Sequence, residues 1–303
     1  MGFRGVLVPV LTPFRADLSP DAGRFLALCR HLLAEGAAGL AVFGTTSEAN
    51  SLSAGERKAL LEMLIENGIG ADKLMPGTGA CSITEAAELA AHAASLGCGG
   101  VLMLPPFYYK GVADDGVFAF VDTVIDRVGS DKLKVYLYHI PPVAQVGYSL
   151  DVVGRLVNAH PQTVVGLKDS SGDWSNTAAL LDAYPELEIF PGSEVFLLDG
   201  LRKGGAGCIT ATGNVAVPSI KAVFDGFERP DADEKQAHIT AVRKRFQETG
   251  PMVPVLKAYI ARKSGDAAWS TVRPPMVAAD PDAVAALDAD LQAMGFSYAA
   301  PGA

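Results

Sequence analysis

Short apolar runs, each followed by an amphipathic helical stretch, recur through the first ~225 residues of the chain. The runs fall at 5–12, 39–44, 73–79, 100–106, 133–140, 164–168, 187–192 and 207–212. Each is near-continuously apolar rather than alternating, the pattern of parallel strands covered on both faces. Helical stretches follow at about 21–35, 53–68, 82–97, 116–127, 150–159, 173–184, 194–203 and 217–227. Ser53 with Glu56, and Ser82 with Glu85, make capping-box pairs where two of these helices begin. Eight strand–helix units in series predict an α/β chain closed into a (β/α)8 barrel. An open doubly wound sheet is the competing arrangement, but no GxGxxG turn follows the first strand.

The pattern changes after Phe227. FERPDADE is a charged, proline-containing break, and helical stretches follow at about 231–248, 252–264 and 281–294 with no strand between them. The expected organisation is a TIM barrel over 1–227 carrying the active site, then a three-helix extension over 228–303 packed on it. A helical tail of this length needs a surface to pack on. An apolar content of 49% with 19% charged residues suits a well-buried globular enzyme. A net charge of −9 argues against nucleic acid or an anionic membrane as partner. No apolar run approaches the ~20 residues of a membrane span, and MGFRGVLVPVLTPF lacks the features of a secretory signal. The four cysteines form no CxxC pair and read as reduced core residues. A soluble cytoplasmic protein is expected.

In a parallel barrel the functional groups collect at the C-terminal strand ends. There the sequence offers G44-T45-T46-S47-E48, G77-T78-G79, P105-P106-F107-Y108-Y109-K110, Y136-L137-Y138-H139-I140-P141, Lys168, P191-G192-S193-E194 and T210-A211-T212-G213-N214. Lys168 is the informative member. It closes the apolar run VVGL, and a lysine there either snorkels to solvent or serves chemistry. Apolar neighbours disfavour the charged form of a buried lysine and make it a usable nucleophile toward a ketone. Tyr138 is placed to move protons and Thr45 to position it, while glycine-rich turns offer amides to a carboxylate. Imine chemistry on a small 2-oxo acid fits this set. The five histidines are dispersed, with no HxH or HExxH spacing for a metal.

GTTSE at 44–48, YHIP at 138–141 and GLKDSSGD at 166–173 resemble the dihydrodipicolinate synthase/N-acetylneuraminate lyase family, which carries GTTGE or GSTGE, YN(V/I)P and G(I/V)K at the same strand ends. The resemblance spans essentially the whole chain. It implies that Lys168 forms a Schiff base with pyruvate or a related 2-oxo acid, with Tyr138 as the general acid/base beside it. It also implies that Thr45 and Thr46 bind the carboxylate and link Tyr138 into a proton relay. By the same resemblance Tyr108, or Tyr109 because this loop is one residue longer, is lent to a neighbouring subunit's relay. The resemblance further implies that Gly192 and Ile209 line the imine pocket and that Ser170 contacts the substrate chain. A homotetramer built as a dimer of dimers is implied, and no metal or organic cofactor.

Three departures bear on the substrate. Ser47 stands where the family has glycine, and His139 where it has asparagine. The run Pro142–Gly147 lacks the arginine with which the lysine-biosynthesis enzymes grip an aldehyde's carboxylate. An aldolase that cleaves or forms a hydroxylated 2-oxo acid with pyruvate is therefore expected first. A 2-keto-3-deoxy sugar-acid dehydratase comes second and 4-hydroxy-tetrahydrodipicolinate synthase third. A metal-dependent or phosphate-binding barrel enzyme and a non-catalytic 2-oxo acid binding barrel are the readings of other classes. Glu194 is readable both as a carboxylate stabilising a helix N-terminus and as a substrate contact.

Overall fold

Pairings between the strands are all parallel, and they run round a ring. The structure, a computed structural model, describes residues 2–301. Gly5–Val8 pairs with Gly39–Leu40 on one side and Gly207–Ile209 on the other. Val101–Met103, Val135–His139, Val164–Asp169 and Glu188–Pro191 form a second group in that order. Residues 74–78 join the two groups on one side. The N–H groups of Met75 and Gly77 donate to Leu40 and Val42, at 2.9 and 2.7 Å. On the opposite edge Leu102 N–H donates to Pro76 O at 2.9 Å, and Thr78 N–H to Leu102 O at 3.0 Å. The ring closes where Ala206 N–H donates to Ile189 O at 3.0 Å. All eight expected strand positions are occupied. The third is reduced to isolated bridges, since Pro76 has no N–H to give its neighbour.

Two apolar layers result. Leu7, Ala41, Met75, Leu102, Phe190 and Ile209 fill the barrel interior together with Tyr136 and Tyr138, while a larger cluster lies between strands and helices. Of the two tyrosines on the strand Val135–His139, Tyr136 belongs to the core. It is fully buried and donates to Glu188 Oε2 at 2.6 Å, and burial, followed by that carboxylate, pushes its phenol up.

The helices follow the capping signals with local differences. Ser53 and Glu56 make both bonds of the capping box. Ser82 accepts from Glu85 N–H at 3.4 Å, whereas the return bond from Glu85 is absent among the described residues. The stretch expected as one helix from 194 divides into a 3-10 turn, Glu194–Phe196, and the helix Leu197–Arg202. The helix expected from 217 begins at Gly213 and kinks at Ala216, just ahead of Pro218. A short helix, Pro141–Ala144, follows the strand Val135–His139 and has no counterpart in the sequence reading.

Beyond residue 231 come the helices Ala232–Thr249, Met252–Ser264 and Pro281–Ala293. Ala232–Thr249 packs on Gly213–Asp225 and on the turn Glu194–Phe196. Gln236 clasps that turn, donating to the carbonyls of Glu194 and Val195 at 2.9 and 3.2 Å. Among the described residues no helix is long and apolar enough to cross a membrane.

Candidate active site

The strand register sets the centre of the site. Lys168 pairs with Tyr138 across neighbouring parallel strands, so both side chains leave on the same face. The Lys168 ammonium lies 4.2 Å from the centre of the Tyr138 ring, and Lys168 is only 4% exposed. This is cation–π distance. The nearby carboxylates are committed to other groups. Asp169 accepts from Ser171 N–H at 2.9 Å, Asn176 Nδ2 at 3.0 Å and Thr177 Oγ1 at 2.6 Å, which fixes the loop after the lysine. His139, the next residue after Tyr138, accepts at Nδ1 from Tyr148 N–H at 2.9 Å. Burial holds its pKa down, with Asp169 opposing.

Thr45 approaches from the next loop, its Oγ1 3.3 Å from the Tyr138 hydroxyl. That loop is a chain of tight turns: Ser47 and Glu48 N–H donate to Gly44 and Thr45 carbonyls, both at 3.1 Å. The N–H groups of Thr45 and Thr46 have no acceptor among the described residues, which leaves two adjacent amides free to receive a carboxylate. Ser47 is fully buried, and its hydroxyl donates to Val10 O at 2.5 Å. Glu48 adopts a left-handed φ of 56° and faces away from the loop's open side. It pairs there with Lys257 Nζ and accepts from Arg273 N–H at 3.0 Å. Lys257 also donates to Thr271 O at 2.9 Å; burial draws its pKa down to about 8, with Glu48 opposing.

These groups open into one cavity of about 570 Å³ at the C-terminal mouth of the barrel. Thr45, Thr46, Tyr138, Lys168, Ser170 and Gly192 line it. Gly192 has a steric reason to be glycine. A Cβ there would lie 1.9 Å from Ser170 Oγ and 2.9 Å from its Cα, so the two strand ends approach this closely only without a side chain.

The remaining expected residues lie elsewhere. Ile209 is inside the barrel with Tyr138. Glu194 is 1% exposed, and its carboxylate accepts from Thr210, Thr212 and Arg243, the last at 3.0 Å. It sits behind the cavity wall rather than in it. Tyr108 and Tyr109 are outside the cavity on an exposed loop, 73% and 74% accessible, with rings edge to face at 5.3 Å. Lys110 ties that loop to the short helix through Ala144 O at 2.8 Å.

Arg243, Lys244 and Gln247 line the mouth from the helix Ala232–Thr249. Sequence reasoning missed them because it considered strand ends alone, and no local signal places that helix over the barrel. Asp122, Asp126 and His160 bring metal-ligand atoms within 4.8 Å of one another on the helical exterior, apart from the cavity.

Comparison with known proteins gives a consistent result. The family model described as the dihydrodipicolinate synthetase family matches residues 2–294. An uncharacterized DapA-like lyase of Chloroflexus aurantiacus is 35% identical over 288 residues, covering 94% of this chain and 95% of that protein. The crystal structure of dihydrodipicolinate synthase from Agrobacterium tumefaciens superposes with a TM-score of 0.88 at 32% identity, over 96% of this chain and 99% of that one. YagE, a prophage protein of E. coli K12 solved in complex with pyruvate, gives a TM-score of 0.85 at 25% identity, over 97% of this chain and 99% of that one.

Proposed function

Because the chain belongs to the dihydrodipicolinate synthetase family and is a Schiff-base lyase or synthase of it, we propose that it makes or breaks a carbon–carbon bond between pyruvate and an aldehyde, with Lys168 as the nucleophile. The Lys168 amine adds to the C2 carbonyl of the 2-oxo acid, and the carbinolamine loses water to give an iminium. As the C3–C4 bond breaks, the C4 hydroxyl gives its proton to Tyr138 and C4 leaves as the aldehyde, while the bonding pair becomes an enamine. The enamine then takes a proton at C3, and water hydrolyses the iminium to free pyruvate and the Lys168 amine. Tyr138 moves the protons through its hydroxyl, linked to Thr45. The open amides of Thr45 and Thr46 receive the 2-oxo acid's carboxylate. The observation that carries this reading is the convergence of Lys168, Tyr138 and Thr45 at 4.2 and 3.3 Å in one cavity.

Two further observations support aldol chemistry. A cavity of about 570 Å³ leaves ample room beside pyruvate for a second reactant. The run after Tyr138 places an exposed Val143, not a cation, on the cavity wall, so that run offers no grip for an aldehyde's carboxylate. The borohydride trap tests the central step. Wild-type protein given pyruvate and borohydride is expected to carry a reduced adduct on Lys168 by mass spectrometry, and Lys168→Ala none. A folded wild-type protein without adduct overturns the reading.

The exposed Tyr108 supports a relay completed across a subunit boundary in a homotetramer. Lys168→Ala and Tyr108→Phe chains are each expected to be impaired alone. Mixed and reassembled, they are expected to recover activity that neither shows by itself. An unimpaired Tyr108→Phe enzyme, with the same change at Tyr109 also silent, removes the crossed relay.

A further inference from the structure

We propose that the far end of the substrate carries an oxyanion, a carboxylate or phosphate, and that Arg243 receives it. The proposal rests on the imine reading above and specifies its substrate class. One side of the Arg243 guanidinium is fixed. Its Nη1 donates to Glu194 Oε2 at 3.0 Å and to Thr210 Oγ1 at 2.9 Å, with Thr212 Oγ1 at 3.5 Å. Glu194 is itself held by the hydroxyls of Thr210 and Thr212 and sealed from solvent, so it acts as a rigid anchor. The guanidinium is therefore oriented before any ligand arrives.

The other side is unused. Nε is buried without an acceptor, and Nη2 has no acceptor among the described residues. Nε is sealed from solvent, so the open nitrogen is Nη2, and a ligand oxygen reaches the guanidinium there through a charge-assisted bond. Arg243 lines the same cavity as Lys168, and Lys244 and Gln247 add further donors at that mouth from the same helix. Val143 and Val253 contribute apolar wall to it. The cavity thus combines Lys168, apolar wall and a group of donors around Arg243. Glu194 contributes as the positioning residue for Arg243, not as a contact.

The test uses borohydride trapping at Lys168 with unbranched 2-oxo acids in length-matched pairs. One member ends in a carboxylate (2-oxoglutarate, 2-oxoadipate, 2-oxopimelate) and the other in a methyl group (2-oxopentanoate, 2-oxohexanoate, 2-oxoheptanoate). For at least one pair, the dicarboxylate is expected to reach half-maximal adduct at a concentration lower by about tenfold or more. Arg243→Gln and Arg243→Lys are both expected to bring that ratio close to one, because lysine offers one nitrogen for Glu194 and has no second, Nη2-like nitrogen for the ligand. Should neither variant fold, the wild-type ratio decides alone. Competition by succinate or by inorganic phosphate then tells a carboxylate end from a phosphate end. Adduct with pyruvate but no discrimination in any pair overturns this proposal and leaves the imine reading standing. No adduct with any acid overturns the imine reading itself.

Discussion

Tyr138→Phe is expected to lower kcat by about 10²- to 10⁴-fold while leaving the fold intact. The substitution keeps the buried ring that packs in the barrel interior and beneath the Lys168 amine. It removes only the hydroxyl, the one group on that side chain able to carry a proton. Lys168 remains, so slow imine formation with pyruvate should still be trapped by borohydride after long incubation. Thr45→Val should act in the same direction with a smaller effect, because Thr45 works through the tyrosine at 3.3 Å. Steady-state kinetics and thermal unfolding, measured together, separate the roles. A kcat within twofold of wild type, or a loss matched by unfolding, would remove Tyr138 from the chemistry.

Lys257→Met is expected to destabilise the protein by about 3–5 kcal/mol. Lys257 and Glu48 are both fully buried at the pair, and deleting the cation leaves a carboxylate in the interior with only Arg273 N–H to satisfy it. Pairing that change with Glu48→Gln should return much of the loss, since replacing both buried charges avoids the unpaired one. Urea denaturation of the two single variants and the double variant measures the coupling. Additive losses in the double variant would contradict a direct interaction. The pair also has a pH signature. Lys257 in the folded protein sits at about 8, below the ordinary 10.5. Between those values the unfolded chain holds more protons than the folded one, so this residue's contribution to stability rises with pH across that window. The wild-type profile, less that of the double variant, should show the slope.

The barrel was legible because parallel strands covered on both faces declare themselves as unbroken apolar runs. Even Pro76, which reduces the third strand to bridges, left the run around it readable. Lys168, Tyr138 and Thr45 were legible for a related reason. Each ends a strand or begins the loop after it, and strand ends in such a ring converge whatever the intervening sequence. Glu194 and Arg243 show the limit. As a carboxylate at a helix start, Glu194 reads equally as a cap or as a contact, and only the hydroxyls of Thr210 and Thr212 decide its direction. Arg243 belongs to a helix whose docking depends on many weak contacts, including Gln236 on the Glu194 turn. No local pattern encodes where such a helix comes to rest. The Pro141–Ala144 turn escaped because two prolines read as a break, although both are tolerated in a first helical turn.

The link between Glu48 and Lys257 spans 209 positions of the chain, and this gives the Thr45 loop a history as well as a place. A ribosome emits the Thr45 loop early and the lysine that anchors it late. At ordinary elongation rates of ~5–20 residues per second, the loop waits roughly 10–40 s for its partner. Throughout that interval Glu48 has no lysine to face and stays hydrated. A nascent chain can therefore assemble most of its barrel while lacking the anchor of its Thr45 loop. Activity should arrive at the end of synthesis, in one late step, rather than grow as the strands are laid down.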